Sequence, residues 1–218
     1  MNSATEGQGA HRAQTLSFAS PDTGEELERA ELYGLLSRLW LAPPDAALLA
    51  QFAVAVTKTD QGGTFLEEPW QAMVAALRAG DAARIKTEFE SLFYSAGKAE
   101  VLPYSSFHIA GVLNERPLVD LRTDIAALGL ASHAAEGETE DHVAFILEVM
   151  RYLIAGDDIT ICNLEQQRKF FRKHVQTWVG TGLCEHLEAL PRAKVYATVA
   201  RFTRAFIEVE TQAFDMIE

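Results

Sequence analysis

The sequence predicts an all-α protein, a single globular bundle of about nine or ten helices. Three observations carry that expectation. Apolar residues recur at three- and four-residue intervals in one segment after another, as in Val143, Ile146, Leu147, Met150, Leu153 and Ile154. Helix-stopping residues, such as Pro43-Pro44, Gly80, Gly129 and Gly156, punctuate those segments. No alternating apolar and polar run points to a strand.

Residues 1–22 are rich in Ser, Gly, Gln, Ala and Thr and lack periodicity, which predicts a disordered tail ahead of a helical domain over 23–218. A first helix over 24–41 places Leu32, Leu36 and Leu39 on one face, beside Tyr33 and Trp40. A second, over 45–57, carries Leu48, Leu49, Phe52 and Val56, and 57–64 is a loop with Gly62-Gly63. A helix over 67–79 ends at Gly80, and Asp81 caps the next, which runs to about Ser95 through Ile85, Phe89, Leu92 and Phe93. Residues 97–117 hold Gly97, Pro103, Gly111 and Pro117, and predict a long hinge-like link with at most one short helix near 106–113. A helix over 118–128 stops at Gly129, and a small loop over 131–137 leads to the central helix. Gly156-Asp157-Asp158 ends that helix and starts another that reaches about His174. Residues 176–190 carry Trp178, Leu183 and Leu187, with Gly180 and Gly182 interrupting the first half. The last helix covers 192–214, with Val195, Val199, Phe202, Phe206 and Val209 as its stripe.

The 218 residues suffice for a sizeable core, and 48% apolar with 23% charged residues is ordinary for a globular protein. No apolar run approaches the roughly 18 residues needed to cross a bilayer, and the N-terminus has no secretory pattern. Cys162 and Cys184 have no metal-ligand spacing and suit idle thiols in a reducing compartment. The net charge of −12 argues against nucleic acid or an anionic membrane as partner and permits a basic peptide.

The chemistry concentrates at Glu138-Thr139-Glu140-Asp141-His142, which opens the central helix with three carboxylates and Thr139 as the expected cap. It is either a well-capped helix start or an acidic rim with an imidazole that receives a cation. A metal-dependent hydrolase or sensor would use Glu138, Asp141 and His142, with His133 nearby. A third alternative is a generic acidic helical interaction protein. Gly97-Lys98 lacks the rest of a phosphate loop. Ser105 or Ser106 with His108 lacks the glycine elbow of a nucleophile. The basic turn of Arg168, Lys169, Arg172 and Lys173 suits a solvated helix C-terminus. Nothing in the residues indicates an enzyme.

Phe89-Glu90-Ser91-Leu92-Phe93, Gly97, Pro103-Tyr104-Ser105-Ser106 and Glu138-Thr139-Glu140-Asp141-His142, in that order, resemble the TorD/DmsD/NarJ family of cytoplasmic chaperones for molybdenum redox enzymes. Phe170, His174 and Trp178 extend the likeness, which covers roughly residues 25–215. Thr139 departs from the family's usual proline, and Ser95-Ala96-Gly97 from its Gly-Pro-Gly type of turn. The resemblance implies a chaperone that binds the twin-arginine signal peptide of a molybdoenzyme catalytic subunit and delays export until the cofactor is loaded. It implies no stably bound cofactor, transient contact at most with molybdopterin guanine dinucleotide or GTP, no nucleic-acid partner and no stable membrane insertion. It also implies a monomer or a homodimer that exchanges helical halves through the 97–117 link. On this resemblance Glu138, Glu140 and Asp141 would pair the guanidinium groups, His142 would orient the acidic group or titrate near neutrality, and Phe89, Leu92, Phe93, Pro103, Tyr104 and Ser106 would line the groove for the apolar part of the peptide.

Overall fold

The computed structural model describes residues 24–57, 65–94, 99–130 and 138–216. Among them are ten α-helices and one π-helical segment, and the only extended pairing is an isolated antiparallel bridge between Tyr104 and His142. The expected tail, the Gly62-Gly63 loop, Gly97 and the 131–137 loop lie outside the described residues.

Helix α1 (Gly24–Leu41) packs chiefly along α7 (Val143–Ala155). The periodicity explains the match, because Tyr33, Leu36, Leu39 and Trp40 meet a stripe of Val143, Ile146, Leu147, Met150 and Leu153, all buried. The Ser37 hydroxyl donates to the Ala144 carbonyl at 2.8 Å and fixes the two helices along their axes. Helix α10 (Val195–Asp215) crosses the same core and touches α3 (Glu67–Ala79), α4 (Ala82–Phe93), α9 (Glu185–Glu188) and the π-helical segment Val179–Cys184. Trp40 Nε1 donates to Thr203 Oγ1 of α10 at 3.1 Å. Helix α2 (Ala46–Val54) is capped by Asp45, whose carboxylate accepts from Leu48 N, and α4 by Asp81, which accepts from Ala83 N and Arg84 N. The Asp81 cap and the stop at Gly80 match the sequence reading.

Several boundaries differ from expectation. The helix after Gly156 does not start at Asp157. Asp158 turns the chain by accepting from Thr160, and α8 (Leu164–His174) begins only where Asn163 accepts from Gln166 N. Helix α6 is Arg116–Ala127, with Pro117 inside its first turn, where a missing N–H costs nothing. Its last turn closes with Gly129 at φ 70°, a left-handed position that favours glycine. The interrupted stretch around Gly180 and Gly182 is a π-helix, because Gly182 N and Leu183 N both bond to the Trp178 carbonyl. A Cβ on Gly182 would come within 3.1 Å of His108 Nδ1, so this glycine lets α5 (Ser105–Ala110) approach.

Two carboxylates, buried Glu210 and half-buried Glu88, tie distant elements together. Glu210 of α10 takes the Arg29 guanidinium in a fork, with Nε and Nη2 each at 2.8 Å, and accepts the Tyr33 hydroxyl at 2.9 Å. Glu88 of α4 accepts from the backbone N–H groups of Lys194, Val195 and Tyr196 at 2.8, 3.3 and 2.9 Å, and so caps the otherwise bare N-terminus of α10.

Glu210→Ala strips Arg29 and Tyr33 of a shared acceptor and is expected to cost about 3 kcal/mol. Urea unfolding tracked by far-ultraviolet circular dichroism measures it. A loss well under 1 kcal/mol would mean that the fork does not persist in solution.

Candidate functional site

Glu138 to His142 lie beside the start of the mid-chain link, and backbone bonds stitch the two. Val143 N donates to the Pro103 carbonyl at 2.8 Å, and Ser105 N donates to the Asp141 carbonyl at 2.9 Å. The link reaches this point by turning back on α4, where Glu100 N and Val101 N both bond to the Leu92 carbonyl at 3.0 Å. Residues paired in an extended bridge cannot be helical, so α7 begins only at Val143. Its cap is therefore His142 rather than Thr139, with Nδ1 accepting from Ala144 N at 3.1 Å. The three acids precede the helix instead of occupying its first turn.

Each acid has its own surroundings. Asp141 is buried, and its Oδ2 accepts from Ser106 N at 3.0 Å while the Thr139 hydroxyl donates to Oδ1. Both oxygens thus serve the chain itself. Glu140 is paired with Arg122 of α6, whose Nη2 stands 2.7 Å and Nε 2.9 Å from Oε2. Glu138 is half-buried and accepts the Tyr94 hydroxyl at 3.2 Å and the Tyr104 hydroxyl on its other oxygen. No lysine or arginine among the described residues pairs with Glu138. Burial, and then the Glu138 carboxylate, raise both phenols above their ordinary range, so each remains an O–H donor at neutral pH. The set of three guanidinium-pairing acids thus reduces to one accessible carboxylate, Glu138.

His142 is also buried, and its ring meets Tyr104 edge-on at 5.1 Å between centroids. Burial drives its pKa down to about 4 despite the opposing pull of Glu138 and Asp141. The imidazole is neutral near pH 7, with Nδ1 as acceptor, and does not titrate near neutrality as anticipated. With Nδ1 and both Asp141 oxygens taken, the alternative metal cluster of Glu138, Asp141 and His142 does not assemble. No group of three or more potential ligands occurs among the described residues, and His133 lies outside them.

The apolar groove also changes. Phe89, Leu92, Phe93 and Pro103 are buried rather than lining an open trough. Phe89 and Phe93 pack on each other at 4.8 Å and on Tyr196 at 5.3 and 5.6 Å. Phe89, Leu92 and Phe93 face the core on α4, the helix whose Glu88 side chain caps α10. Ser106 is fully buried with its hydroxyl unpartnered among the described residues. His108 does not reach it as a base. Its Nε2 bonds to the Leu102 carbonyl at 2.9 Å and its ring stacks on Trp178 at 5.3 Å. The C-terminal motif is buried support as well, since Trp178 Nε1 donates to the His174 carbonyl at 2.7 Å and His174 Nε2 meets Asp124 Oδ2 at 2.6 Å. In the basic turn, Lys173 pairs with the same Asp124 oxygen and Arg172 with Asp215. Tyr94 and Arg122 are the site residues that sequence reasoning missed. Tyr94 stands one position past the Phe93 stripe, and Arg122 on a helix with no other mark of the site.

The polar groups of the site thus orient one another around one half-buried carboxylate within an all-α fold. Comparisons with known proteins go further. The family model of the nitrate reductase delta subunit matches residues 60–183, more than half of the chain. The chain belongs to that family. It is 26% identical to the chaperone protein TorD of Vibrio cholerae in an alignment covering 86% of this chain and 92% of the relative. It is 24% identical to TorD of Aliivibrio salmonicida over 89% of this chain and 88% of the relative. The fold matches a redox enzyme maturation protein from Archaeoglobus fulgidus at a TM-score of 0.54 and 22% identity, covering 89% of this chain and 99% of that one. The protein is therefore a redox-enzyme maturation chaperone of the TorD type and not an enzyme.

The buried groups set two expected outcomes. Asp141→Ala leaves the Ser106 N–H without its acceptor and is expected to cost about 2 kcal/mol in urea unfolding, with Asp141→Asn losing less. His142 has a lower pKa folded than unfolded, where about 6.5 is ordinary, so the unfolded chain binds the extra proton between pH 4 and 6.5. Stability should rise with pH across that window, and His142→Asn, which keeps a cap acceptor, should flatten the rise. An unchanged slope would show that His142 does not bear this load.

Proposed function

We propose that this chaperone binds the N-terminal twin-arginine signal peptide of a molybdoenzyme catalytic subunit in the cytoplasm, and holds the subunit from export until its molybdenum cofactor is in place. The observation that carries the reading is Glu138, an accessible carboxylate fixed by two tyrosine hydroxyls and unpaired with any Lys or Arg among the described residues. A carboxylate has about four lone-pair sites, so two O–H donors leave room for a guanidinium fork. Glu140, already neutralised by Arg122, and buried Asp141 shape the rim rather than compete for the peptide. The net charge of −12 favours encounter with a basic segment. No helix among the described residues is long and apolar enough to cross a membrane.

Calorimetric titration with a synthetic peptide bearing an arginine pair ahead of an apolar stretch tests the assignment. Glu138→Gln removes the charge and keeps the shape, and should weaken binding by about tenfold with helical content unchanged. Equal affinity for the two proteins would remove Glu138 from the role, and equal affinity for a scrambled peptide would remove the function.

A further inference from the structure

The acidic run before α7 already holds a guanidinium, and the chain itself supplies it. Arg122 of α6 reaches Glu140 Oε2 with Nη2 at 2.7 Å and Nε at 2.9 Å. That is the contact a client arginine would make with a carboxylate of the same run. The Glu140 side chain is largely covered, at 14% exposure, whereas that of Arg122 is 54% exposed, so solvent meets the guanidinium more than the acid. Arg122 also interacts with the charge of buried Asp141. Its helix is anchored, since Asp124, two positions on, is held by Lys173 and His174 of α8, each at 2.6 Å. Glu138, by contrast, is held by the uncharged Tyr94 and Tyr104 hydroxyls and has no Lys or Arg on it among the described residues. Two carboxylates of one run thus differ in what a cation would meet: one carries a basic side chain and the other does not.

We infer that Arg122 restricts the site to one arginine of the client, by occupying Glu140 as a built-in substitute for the second guanidinium. The inference rests on the peptide reading above. An arginine pair brings two guanidinium groups to the rim. One finds Glu138. The other meets Glu140 with its charge already balanced and a like charge in front of it. Displacing Arg122 brings little net gain, because one guanidinium contact with Glu140 is exchanged for another. Repulsion by Arg122 adds to this only at close range, since salt screens exposed charges beyond about 8 Å. The lost acceptor is therefore the larger effect and the repulsion the smaller. The second arginine stays in solvent and adds little affinity. The rim thus selects for the presence of an arginine and is indifferent to its neighbour, a discrimination made by masking a carboxylate rather than by adding a contact. Arg122 acts on the peptide through Glu140, not by touching it.

The experiment uses the full-length protein and synthetic peptides that carry Arg-Arg, Arg-Gln, Gln-Arg or Gln-Gln ahead of one apolar stretch, read by fluorescence anisotropy. With the unaltered protein, the better single-arginine peptide should bind within about twofold of Arg-Arg. An exposed ion pair contributes little to stability, so Arg122→Gln should fold. That variant should bind Arg-Arg about tenfold more tightly than either single-arginine peptide. Arg122→Lys keeps a charge beside Glu140 and should restore the original pattern, and so should Glu140→Gln added to Arg122→Gln. A purely structural role for Arg122 would not be undone by either change. A tenfold preference for Arg-Arg in the unaltered protein overturns the mask while leaving Glu138 in place. So does an unchanged ratio, or uniformly weaker binding, in Arg122→Gln. Binding of Gln-Gln as tight as that of Arg-Arg, or no binding by any peptide, overturns the peptide reading and the mask together.

Discussion

The structure depends on one buried carboxylate. Asp141 sits where the mid-chain link passes the entrance to α7, and it accepts two backbone N–H groups of that link, which the junction would otherwise bury unpaired. Its Oδ2 holds Ser106 N, its own carbonyl holds Ser105 N, and Thr139 fixes its second oxygen. A buried charge without such partners would be strongly destabilising, so the three contacts and the burial require each other. From this joint come the late start of α7, the choice of His142 as cap, and the direction in which Tyr104 presents its hydroxyl. The open carboxylate, Glu138, is three residues upstream and inherits its position from the same bridge.

The sequence disclosed the helices because burial imposes a period that survives without knowledge of partners. The α7 stripe, the Asp81 cap and the stop at Gly80 are local facts, and they agree with the fold. The features that the sequence hid depend on long-range pairing. Glu88 caps a helix that begins more than a hundred residues away, and Glu210 receives Arg29 across most of the chain. Neither leaves a mark at its own position, since an acidic residue on a helix is ordinarily solvated. The misplaced start of α7 has the same cause. Thr139 with acids on either side has the composition of a capped helix start, and only the bridge between Tyr104 and His142 delays the helix to Val143.

The candidate site shows the same division. The order of motifs along the chain picked out residues that the fold brings together, since Pro103, Tyr104 and residues 138–142 converge. The roles within it were not legible. Residue type alone cannot separate Asp141 from Glu138, yet one is buried with both oxygens occupied and the other faces the rim. The same holds for Phe89, Leu92 and Phe93, whose spacing fits a groove or a core equally well. The packing of the two phenylalanines on Tyr196 and Trp40 decides for the core. Tyr94 escaped notice because its significance is a distance to Glu138, not a pattern.

This division of labour suits a chaperone that must let its client go. If all three acids were open, the rim would hold any basic segment tightly, and release would be slow. Here Arg122 neutralises Glu140 and the fold consumes Asp141, so under the proposed function a guanidinium would meet one prearranged carboxylate. The two tyrosine donors hold that carboxylate in place, so little rotamer entropy would be lost on binding a peptide. Affinity for an arginine would thereby be kept modest, while the net negative charge of the chain would still speed encounter with a basic segment.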